Sequence, residues 1–264
     1  MSTYGAAFRS GLSSLMEYRI DFFSNSILAL LVNGIAQVML WVAVYAGREN
    51  VSIGHYTANT MITYLLYASF FNVLTRSGRI ERSASDEIRN GDLNKYLIKP
   101  ISHLGFSGAL AAADRFGVFA FTCIAIPLIP FFTSTPFSFF SFSWAMLIVI
   151  LAMIMKFLIS MSIAYLAFWY DETWTFHVII DISMTLLSGA ILPLDILPTW
   201  LQTISHYLPF MYLSYVPAAL STGTIATSEA PQLCFMGIAW CLALWGITRT
   251  IWNLGIRKFG AYGG

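Results

Sequence analysis

The run ILALLVNGIAQVMLWVAVYA, residues 27–46, contains no charged side chain. An α-helix rises about 1.5 Å per residue, so about 20 such residues cross the hydrocarbon core of a bilayer, which is about 30 Å thick. The whole chain of 264 residues is 58% hydrophobic and 10% charged, which is more apolar side chain than a soluble domain of this size can bury. The sequence therefore predicts an all-α, polytopic membrane protein.

Five further apolar runs predict five further transmembrane helices. They cover residues 56–75, 116–132, 144–169, 176–192 and 233–252. The run at 116–132 has a helical lead-in from Ser102, and the last run is separated from the one before it by a long proline-rich segment. Together with residues 27–46, these runs predict six spans in one membrane domain that covers residues 1–264.

Residues 1–24 precede the first span and show two helical stripes. The polar stripe consists of Arg9, Ser13, Glu17 and Asp21, and the apolar stripe consists of Tyr4, Phe8, Leu12 and Leu15. A helix with one polar face and one apolar face is typical of an amphipathic helix that lies flat on a bilayer. We therefore expect an interfacial helix at residues 1–24.

The distribution of Lys and Arg indicates how the chain crosses the membrane. These residues concentrate before the first span, between the second and third spans, and at the C-terminal end. Positively charged loops favour the cytoplasm, and only six crossings put all three segments there, together with both termini. Residues 193–222, which are apolar and contain four prolines, are then expected to enter from the outside and return as a re-entrant helical hairpin packed against other helices.

The stretch SDEIRNGDLNKYLIKPIS, residues 85–102, is the most polar part of the chain. Just before it, Ser83 stands three residues from Asp86, which is the spacing of a capping box at the start of a helix. Gly91 is expected to end that helix, and Asp92 is expected to cap a new one. The sequence therefore predicts two short helices in the loop at residues 76–101.

The second of these helices has an apolar face. Leu93, Tyr96 and Leu97 fall at helical spacing, and Pro100 prevents the helix from continuing beyond about two turns. A short amphipathic helix at the cytoplasmic end of two spans either docks into a cleft of another protein or lies on lipid headgroups. The residues by themselves favour neither alternative.

Three segments together carry a family resemblance. They are EYRIDFF at residues 17–23, DEIRNGDLNKYLIKPIS at 86–102 and GAILPLDILPTWLQTISHYLPFMYLSYVPAAL at 189–220. In this order, they resemble the permease subunits of type-2 ATP-binding cassette (ABC) exporters, which have six spans and a re-entrant pair of helices after the fifth. In that family, the loop between the second and third spans carries a coupling helix that rests on the ATPase.

The resemblance implies partners and a location for the chain. It implies two copies of a cytosolic ABC ATPase that hold ATP and Mg, a second permease of the same or a related type, and export of an amphiphilic or drug-like substrate across the inner (cytoplasmic) membrane. No cofactor is expected in this chain. The residues that the resemblance assigns to ATPase coupling are Arg82, Asp86, Glu87, Ile88, Arg89, Gly91, Leu93, Tyr96, Leu97 and Pro100.

Several kinds of chemistry are not expected from this sequence. It contains no GxxxxGK[ST] phosphate loop, no GxSxG elbow and no HExxH pair, so neither ATP binding nor catalysis is expected in the chain. Its three cysteines are widely spaced and indicate no metal site. Lys and Arg number 14 against 13 Asp and Glu, which does not suggest a basic surface for nucleic acid.

Ionisable residues inside predicted spans suggest a candidate site. Lys156 and Asp181 lie in the fourth and fifth spans, and His177 lies one helical turn before Asp181. A Lys or Asp at the centre of a membrane helix costs about 2.5–3.5 kcal/mol, so such residues face the protein interior or a cavity. Lys156 either forms a structural ion pair with Asp181 or Asp114, or provides a polar feature of the translocation path. His177 and Asp181 are expected to form a hydrogen-bonded pair rather than a metal or catalytic site.

Two other classes of function stay open at the level of sequence. The chain could be an ion-conducting channel or an ion-coupled carrier that uses Lys156 and Asp181, which an inverted repeat would favour, although none is evident. A membrane-embedded enzyme would use His177, Asp181 and His206. It would need a third polar group at the same membrane depth as His177 and Asp181, and none is evident from the sequence.

Overall fold

The computed structural model describes residues 3–17, 19–47, 52–76, 79–133 and 135–259. The protein is 80% helical, and the only β-type pairing among these residues is an isolated bridge between Ile53 and Tyr56. The predicted all-α fold is therefore confirmed.

Six helices occupy the N-terminal half of the described chain. They are α1 (Thr3–Glu17), α2 (Arg19–Tyr45), α3 (Ala58–Leu74), α4 (Arg79–Arg89), α5 (Asn94–Leu97) and α6 (His103–Ala125). Six more follow in the C-terminal half. They are α7 (Ile129–Thr133), α8 (Phe139–Ala164), α9 (Trp174–Leu187), α10 (Thr199–His206), α11 (Tyr215–Thr222) and α12 (Ala230–Gly255). Short 3₁₀ turns extend or connect several of them.

Three helical stretches within the described residues are long and apolar enough to cross a membrane. They are His103–Thr133, Phe139–Phe168 and Thr227–Gly255, which contain α6, α8 and α12. Shorter apolar stretches are Gly34–Tyr45 in α2 and Trp174–Leu187, which is α9. Multiple apolar helices agree with a multi-pass membrane protein. That the chain crosses the membrane six times stays a prediction.

The N-terminal region differs from the single helix expected at residues 1–24. The first helix ends at Glu17, and α2 begins at Arg19, so Asp21 belongs to the helix of the first predicted span. The first helix packs along α6. Phe8 meets Phe116 edge to face with ring centroids 6.3 Å apart. Contact with α6 therefore helps to orient α1, and its position relative to a bilayer stays a prediction.

The core of the fold is built around α3. Its fully buried side chains include Met61, Tyr64, Leu65, Ala68 and Phe71. Helix α11 packs against both α3 and α8, and its Ala218, Ala219 and Leu220 are also fully buried. The proline-rich segment thus contains two short helices, α10 and α11, and the second is packed against other helices as expected. Its entry from the outside of a membrane stays a prediction.

The end of α4 follows from a single glycine. Gly91 has φ of 79°, a left-handed conformation that costs a glycine little because it has no Cβ. The turn lets the Gly91 N–H donate to the carbonyl of Ile88 at 3.3 Å and the Asp92 N–H donate to the carbonyl of Glu87 at 2.9 Å. The prediction that Gly91 ends the helix is confirmed.

The two predicted caps in this loop are wrong. Helix α4 begins at Arg79, so Ser83 lies inside the helix, where its hydroxyl donates to the carbonyl of Ile80 at 2.9 Å. The next helix, α5, has a single turn, and no side chain caps its N-terminus. Leu93, and not Asp92, occupies the N-cap position of α5.

Candidate functional site

A cavity of about 740 Å³ lies between α2, α3, α8 and α9. Many of its lining side chains are polar, and they include Gln37, Ser69, Asn72, Thr75, Arg76, Arg82, Thr185 and Ser188. The Ser69 hydroxyl donates to Gln37 Oε1 at 3.5 Å, which links α3 to α2 at the cavity wall. We call this space the polar cavity.

Lys156 and Asp181 form an ion pair on the wall of the polar cavity. Lys156 Nζ lies 2.5 Å from Asp181 Oδ1 and 3.1 Å from Met184 Sδ. The Lys156 and Asp181 side chains are 8% and 37% exposed, and both residues line the cavity. The two interpretations from the sequence are therefore compatible in the structure, because the residues pair and also line the cavity. The partner of Lys156 is Asp181 and not Asp114.

His177 does not form the hydrogen-bonded pair that its spacing from Asp181 suggested. It is buried on α9, and its Nε2 has no hydrogen-bond partner among the described residues. Four residues on a helix place two side chains on the same face, but the Asp181 carboxylate turns to Lys156. The described residues contain no group of three or more potential metal ligands, and His206 lies on α10, away from the polar cavity.

A second cluster of polar side chains fixes the loop between the second and third predicted spans to the rest of the protein. The structure describes residue 76 and residues 79–101 of this loop, which we call the coupling loop after its predicted role. Glu87 Oε1 accepts from Lys95 Nζ at 3.0 Å, and Glu87 Oε2 lies 3.1 Å from His103 Nε2. On the other side of the ring, His103 Nδ1 lies 2.9 Å from the Tyr165 hydroxyl. A carboxylate can only accept, so Nε2 carries a proton, and in the neutral ring Nδ1 accepts from Tyr165.

Aromatic rings enclose His103 in this cluster. The ring of Trp252 stacks on it with centroids 5.2 Å apart and planes 5° apart, and Tyr96 meets it edge to face at 4.8 Å. The cluster thus joins α4 and α5 to α6, to the 3₁₀ turn after α8, and to α12. The loop is thus in contact with all three of the long apolar stretches.

The carboxylate of Glu87 is electrostatically stabilised. Partial burial raises the pKa of Glu87, but the hydrogen bonds from His103 and Lys95 outweigh burial, so the pKa lies below the ordinary value of 4.5. For Lys95, partial burial lowers the pKa, but the hydrogen bond with Glu87 outweighs it, and the pKa is raised. Both shifts favour the charged forms of the pair.

A family model described as ABC-2 family transporter protein matches residues 31–263. The chain belongs to the ABC-2 transporter family. A comparison with curated proteins found no match. Membership confirms the resemblance to type-2 ABC permeases and makes this ABC-2 chain a membrane subunit of a transporter rather than an enzyme. The hypothesis of a membrane-embedded enzyme at His177, Asp181 and His206 is therefore wrong.

The orientation of the coupling loop in this ABC-2 protein differs from the expected one. Leu93 was expected to face the ATPase, but it is fully buried inside the permease. It packs in a cluster with Ala84, Ile88, Met161, Ala164 and Tyr165. Leu93 lies between the left-handed turn at Gly91 and the single turn of α5, and its contacts with Ala84 and Ile88 are contacts with α4.

Other residues of the loop form its exposed surface. Leu97 is 49% exposed and Ile98 is 81% exposed. Arg82, Asp86, Arg89 and Pro100 are also exposed, whereas Glu87 and Tyr96 are half-buried. Arg82 additionally lines the polar cavity.

The sequence analysis did not identify Ile98 or His103 as site residues. Ile98 continues the apolar pattern after Leu97 and could have been found, but no local signal pairs His103 with Glu87.

Proposed function

We propose that this ABC-2 permease forms, with a second permease, the translocation path of an ATP-driven exporter. The observation that carries the proposal is the polar cavity, because its wall holds the ion pair of Lys156 and Asp181 between helices of a transporter family member. Charged residues at membrane depth are costly, so they are concentrated where protein or a water-filled path surrounds them.

The lining of the polar cavity supports an amphiphilic or drug-like substrate. Gln37 and Asn72 offer amide groups, while Leu30, Ile191 and Leu213 offer apolar surface in the same space. A substrate with both an apolar and a polar part would contact both kinds of lining.

Exposed apolar surface beside the polar cavity supports a second permease. Helix α2 exposes Leu28, Val32, Ile35, Met39 and Val42, and helix α9 exposes Ile179, Ile182 and Leu186. Continuous apolar surface of this kind marks contact with lipid or with another protein. We propose that part of it meets the same helices of a second permease, either an identical or a related chain, so that two cavities enclose one path.

The exposed surface of the coupling loop supports a separate motor. Permeases of this family generally work with an ABC ATPase. In our proposal, two cytosolic ATPase copies hold ATP and Mg, and each copy binds one permease. Leu97 and Ile98 enter an apolar cleft on the bound ATPase, and Asp86 and Arg89 contact its rim. Gly91 and Pro100 shape the loop, and Glu87 holds it on the permease. The protein would lie in the cytoplasmic membrane with both termini in the cytoplasm.

The proposal is tested by purifying the tagged protein in mild detergent and identifying the co-purifying subunits by mass spectrometry. We expect an ABC ATPase at one copy per permease, and substrate-stimulated ATP hydrolysis after reconstitution. Transport that proceeds without ATP or an associated ATPase would overturn the proposal and favour a channel or an ion-coupled carrier.

The role of the polar cavity is tested separately with two matched tryptophan variants. Thr185 lines the cavity, whereas Ser183 lies two residues away on the same helix and does not. Each hydroxyl donates to the carbonyl four residues earlier, at 2.7 Å and 2.8 Å. Thr185→Trp should obstruct part of the cavity and reduce transport, while Ser183→Trp should transport normally. Equal transport by the two variants would exclude the cavity as the path.

A further inference from the structure

A second cavity, of about 400 Å³, lies on the other side of α3, between α3, α4, α6 and α8. Most of its lining is apolar or small and includes Gly108, Ala111, Ala112, Phe119, Met153 and Phe157. Three further lining side chains are exposed on the outer face of the long helices, namely Phe116, Ile150 and Ile154. In a membrane, this cavity therefore opens toward lipid.

Four residues that line this second cavity are charged. Arg76, Glu81, Arg115 and Lys156 line it, which gives three cations and one carboxylate. Lys156 is already paired with Asp181 from the polar cavity. Arg115 is attracted electrostatically by Glu81 and by its neighbour Asp114, and it is repelled by Arg76. Asp114 does not line the cavity. The lining itself thus carries an excess of positive charge beside an apolar space.

The apolar lining and the cationic side chains together indicate a class of ligand. An arginine near hydrocarbon is costly unless an anion pairs with it, and the planar guanidinium matches phosphate oxygens with two parallel hydrogen bonds. A volume of 400 Å³ lies within the range of about 300–1,000 Å³ that small-molecule sites occupy. An occupant with an apolar chain and an anionic phosphate headgroup satisfies both parts of the lining.

We propose that the second cavity binds an anionic phospholipid from the surrounding membrane. One acyl chain lies against Ala111, Ala112 and Phe119, and the headgroup reaches Arg115 and Arg76. Because Thr75, Arg76 and Lys156 line both cavities, the bound lipid would contact the wall of the polar cavity. This inference concerns lipid binding and does not depend on the proposed transport function.

The test uses the purified, delipidated protein and native mass spectrometry. Phosphatidylglycerol and phosphatidylcholine with the same acyl chains are added at equal concentration. We expect the wild type to retain phosphatidylglycerol preferentially. In Arg115→Gln and Arg76→Gln this preference should fall about fivefold, as expected for the loss of a charge-assisted contact. Arg76 is exposed, so its variant keeps the test informative if Arg115→Gln does not fold.

The apolar part of the second cavity is tested with two matched phenylalanine variants. Ala112 lines the second cavity, whereas Ala120 is exposed on the same helix outside it. Ala112→Phe should obstruct the space and reduce the retention of phosphatidylglycerol, while Ala120→Phe should retain it as the wild type does. Equal retention of the two lipids by the wild type, or equal behaviour of the two phenylalanine variants, would overturn the proposal.

Discussion

The hydroxyl of Tyr215 donates a hydrogen bond of 2.6 Å to Asp195 Oδ1. The other carboxylate oxygen, Oδ2, accepts from the Tyr56 hydroxyl at 2.9 Å, so one aspartate holds tyrosines from two distant parts of the chain. Nearby, the Tyr64 hydroxyl donates to the carbonyl of Gly189 at 2.7 Å. These bonds fasten the segment after α9, which includes lining residues of the polar cavity, to α3 and α11.

Gly189 is required for this arrangement. Its φ of 78° is left-handed, and a Cβ added to it would lie 2.7 Å from the Cβ of Tyr215. No side chain fits there without displacement of the tyrosine. The network is therefore specified both by its donors and acceptors and by the backbone that brings them together.

Replacing Asp195 should destabilise the protein. Asp195→Ala removes the acceptor of two tyrosine hydroxyls and leaves both without this partner in a largely buried site, which should lower the free energy of unfolding by about 2–4 kcal/mol. Thermal denaturation in detergent measures the change. Asp171→Ala, at an exposed position, is the control and should have little effect. Equal melting temperatures of the two variants would contradict the structural role of Asp195.

The ion pair of Lys156 and Asp181 predicts non-additive mutations. Removing one partner of a buried pair leaves an uncompensated charge, which typically costs about 3–5 kcal/mol, with less expected here because Asp181 is partly exposed. Lys156→Ala and Asp181→Ala should each lower the melting temperature, and the exchange of the two residues should restore part of it. A double-mutant cycle measures the coupling. Additive effects would show that the residues act separately.

Two leucines four residues apart should respond differently to the same change. Leu93→Ala creates a space in the buried cluster between α4 and the end of α8, and it should lower the free energy of unfolding by about 2–5 kcal/mol. Leu97→Ala, alone or with Ile98→Ala, should leave the melting temperature nearly unchanged but reduce ATPase retention, because both side chains are exposed. Co-purification and thermal denaturation separate the two effects. Normal ATPase retention and transport by the Leu97 and Ile98 double variant would favour a headgroup contact instead.

The contribution of Glu87 should depend on pH. Its pKa in the folded protein lies below the ordinary value of 4.5, so its stabilising effect is complete above pH 4.5 and is lost as the pH falls below 4.5 through the folded pKa. The carboxylate faces Lys95 and His103. The difference in melting temperature between wild type and Glu87→Gln should therefore be constant at higher pH and shrink on acidification. Asp86→Asn, at an exposed position 3.8 Å from Arg89, is the control, and its melting temperature should stay close to that of the wild type.

The six-span topology predicts where reporters will lie. A reporter inserted near Asn90 and one fused after Gly264 should report the cytoplasm, while insertions near Gly223 and Asn50 should report the outside. Asn50 and Gly264 lie outside the described residues. Protease protection or cysteine labelling provides the measurement. A C-terminus on the outside would exclude the six-span arrangement.

Much of the fold can be predicted from local sequence. Apolar runs longer than the bilayer thickness require helices, because backbone groups in hydrocarbon must be hydrogen-bonded within the segment. The three longest helical stretches fall on predicted spans, and Gly91 ends α4 because a left-handed turn there needs a residue without a Cβ. Both results depend only on residues close together in the chain.

The boundaries were less predictable. The third predicted span, residues 116–132, belongs to a helical stretch that begins at His103, in agreement with the lead-in expected from Ser102. The helix expected at residues 1–24, in contrast, is divided between α1 and α2. In a chain this apolar, the hydrophobic pattern changes little across such junctions, so it marks the presence of a helix better than its ends.

The sequence by itself determined the helical membrane fold, the family and the break at Gly91, since each follows from composition or from neighbouring residues. Only the tertiary structure decided that Lys156 pairs with Asp181, that Leu93 faces inward and that His103 joins Glu87 to Tyr165. Helical periodicity shows which residues share a face. When several faces of a helix are apolar, it does not show which face meets protein, because that depends on contacts between residues far apart in the chain.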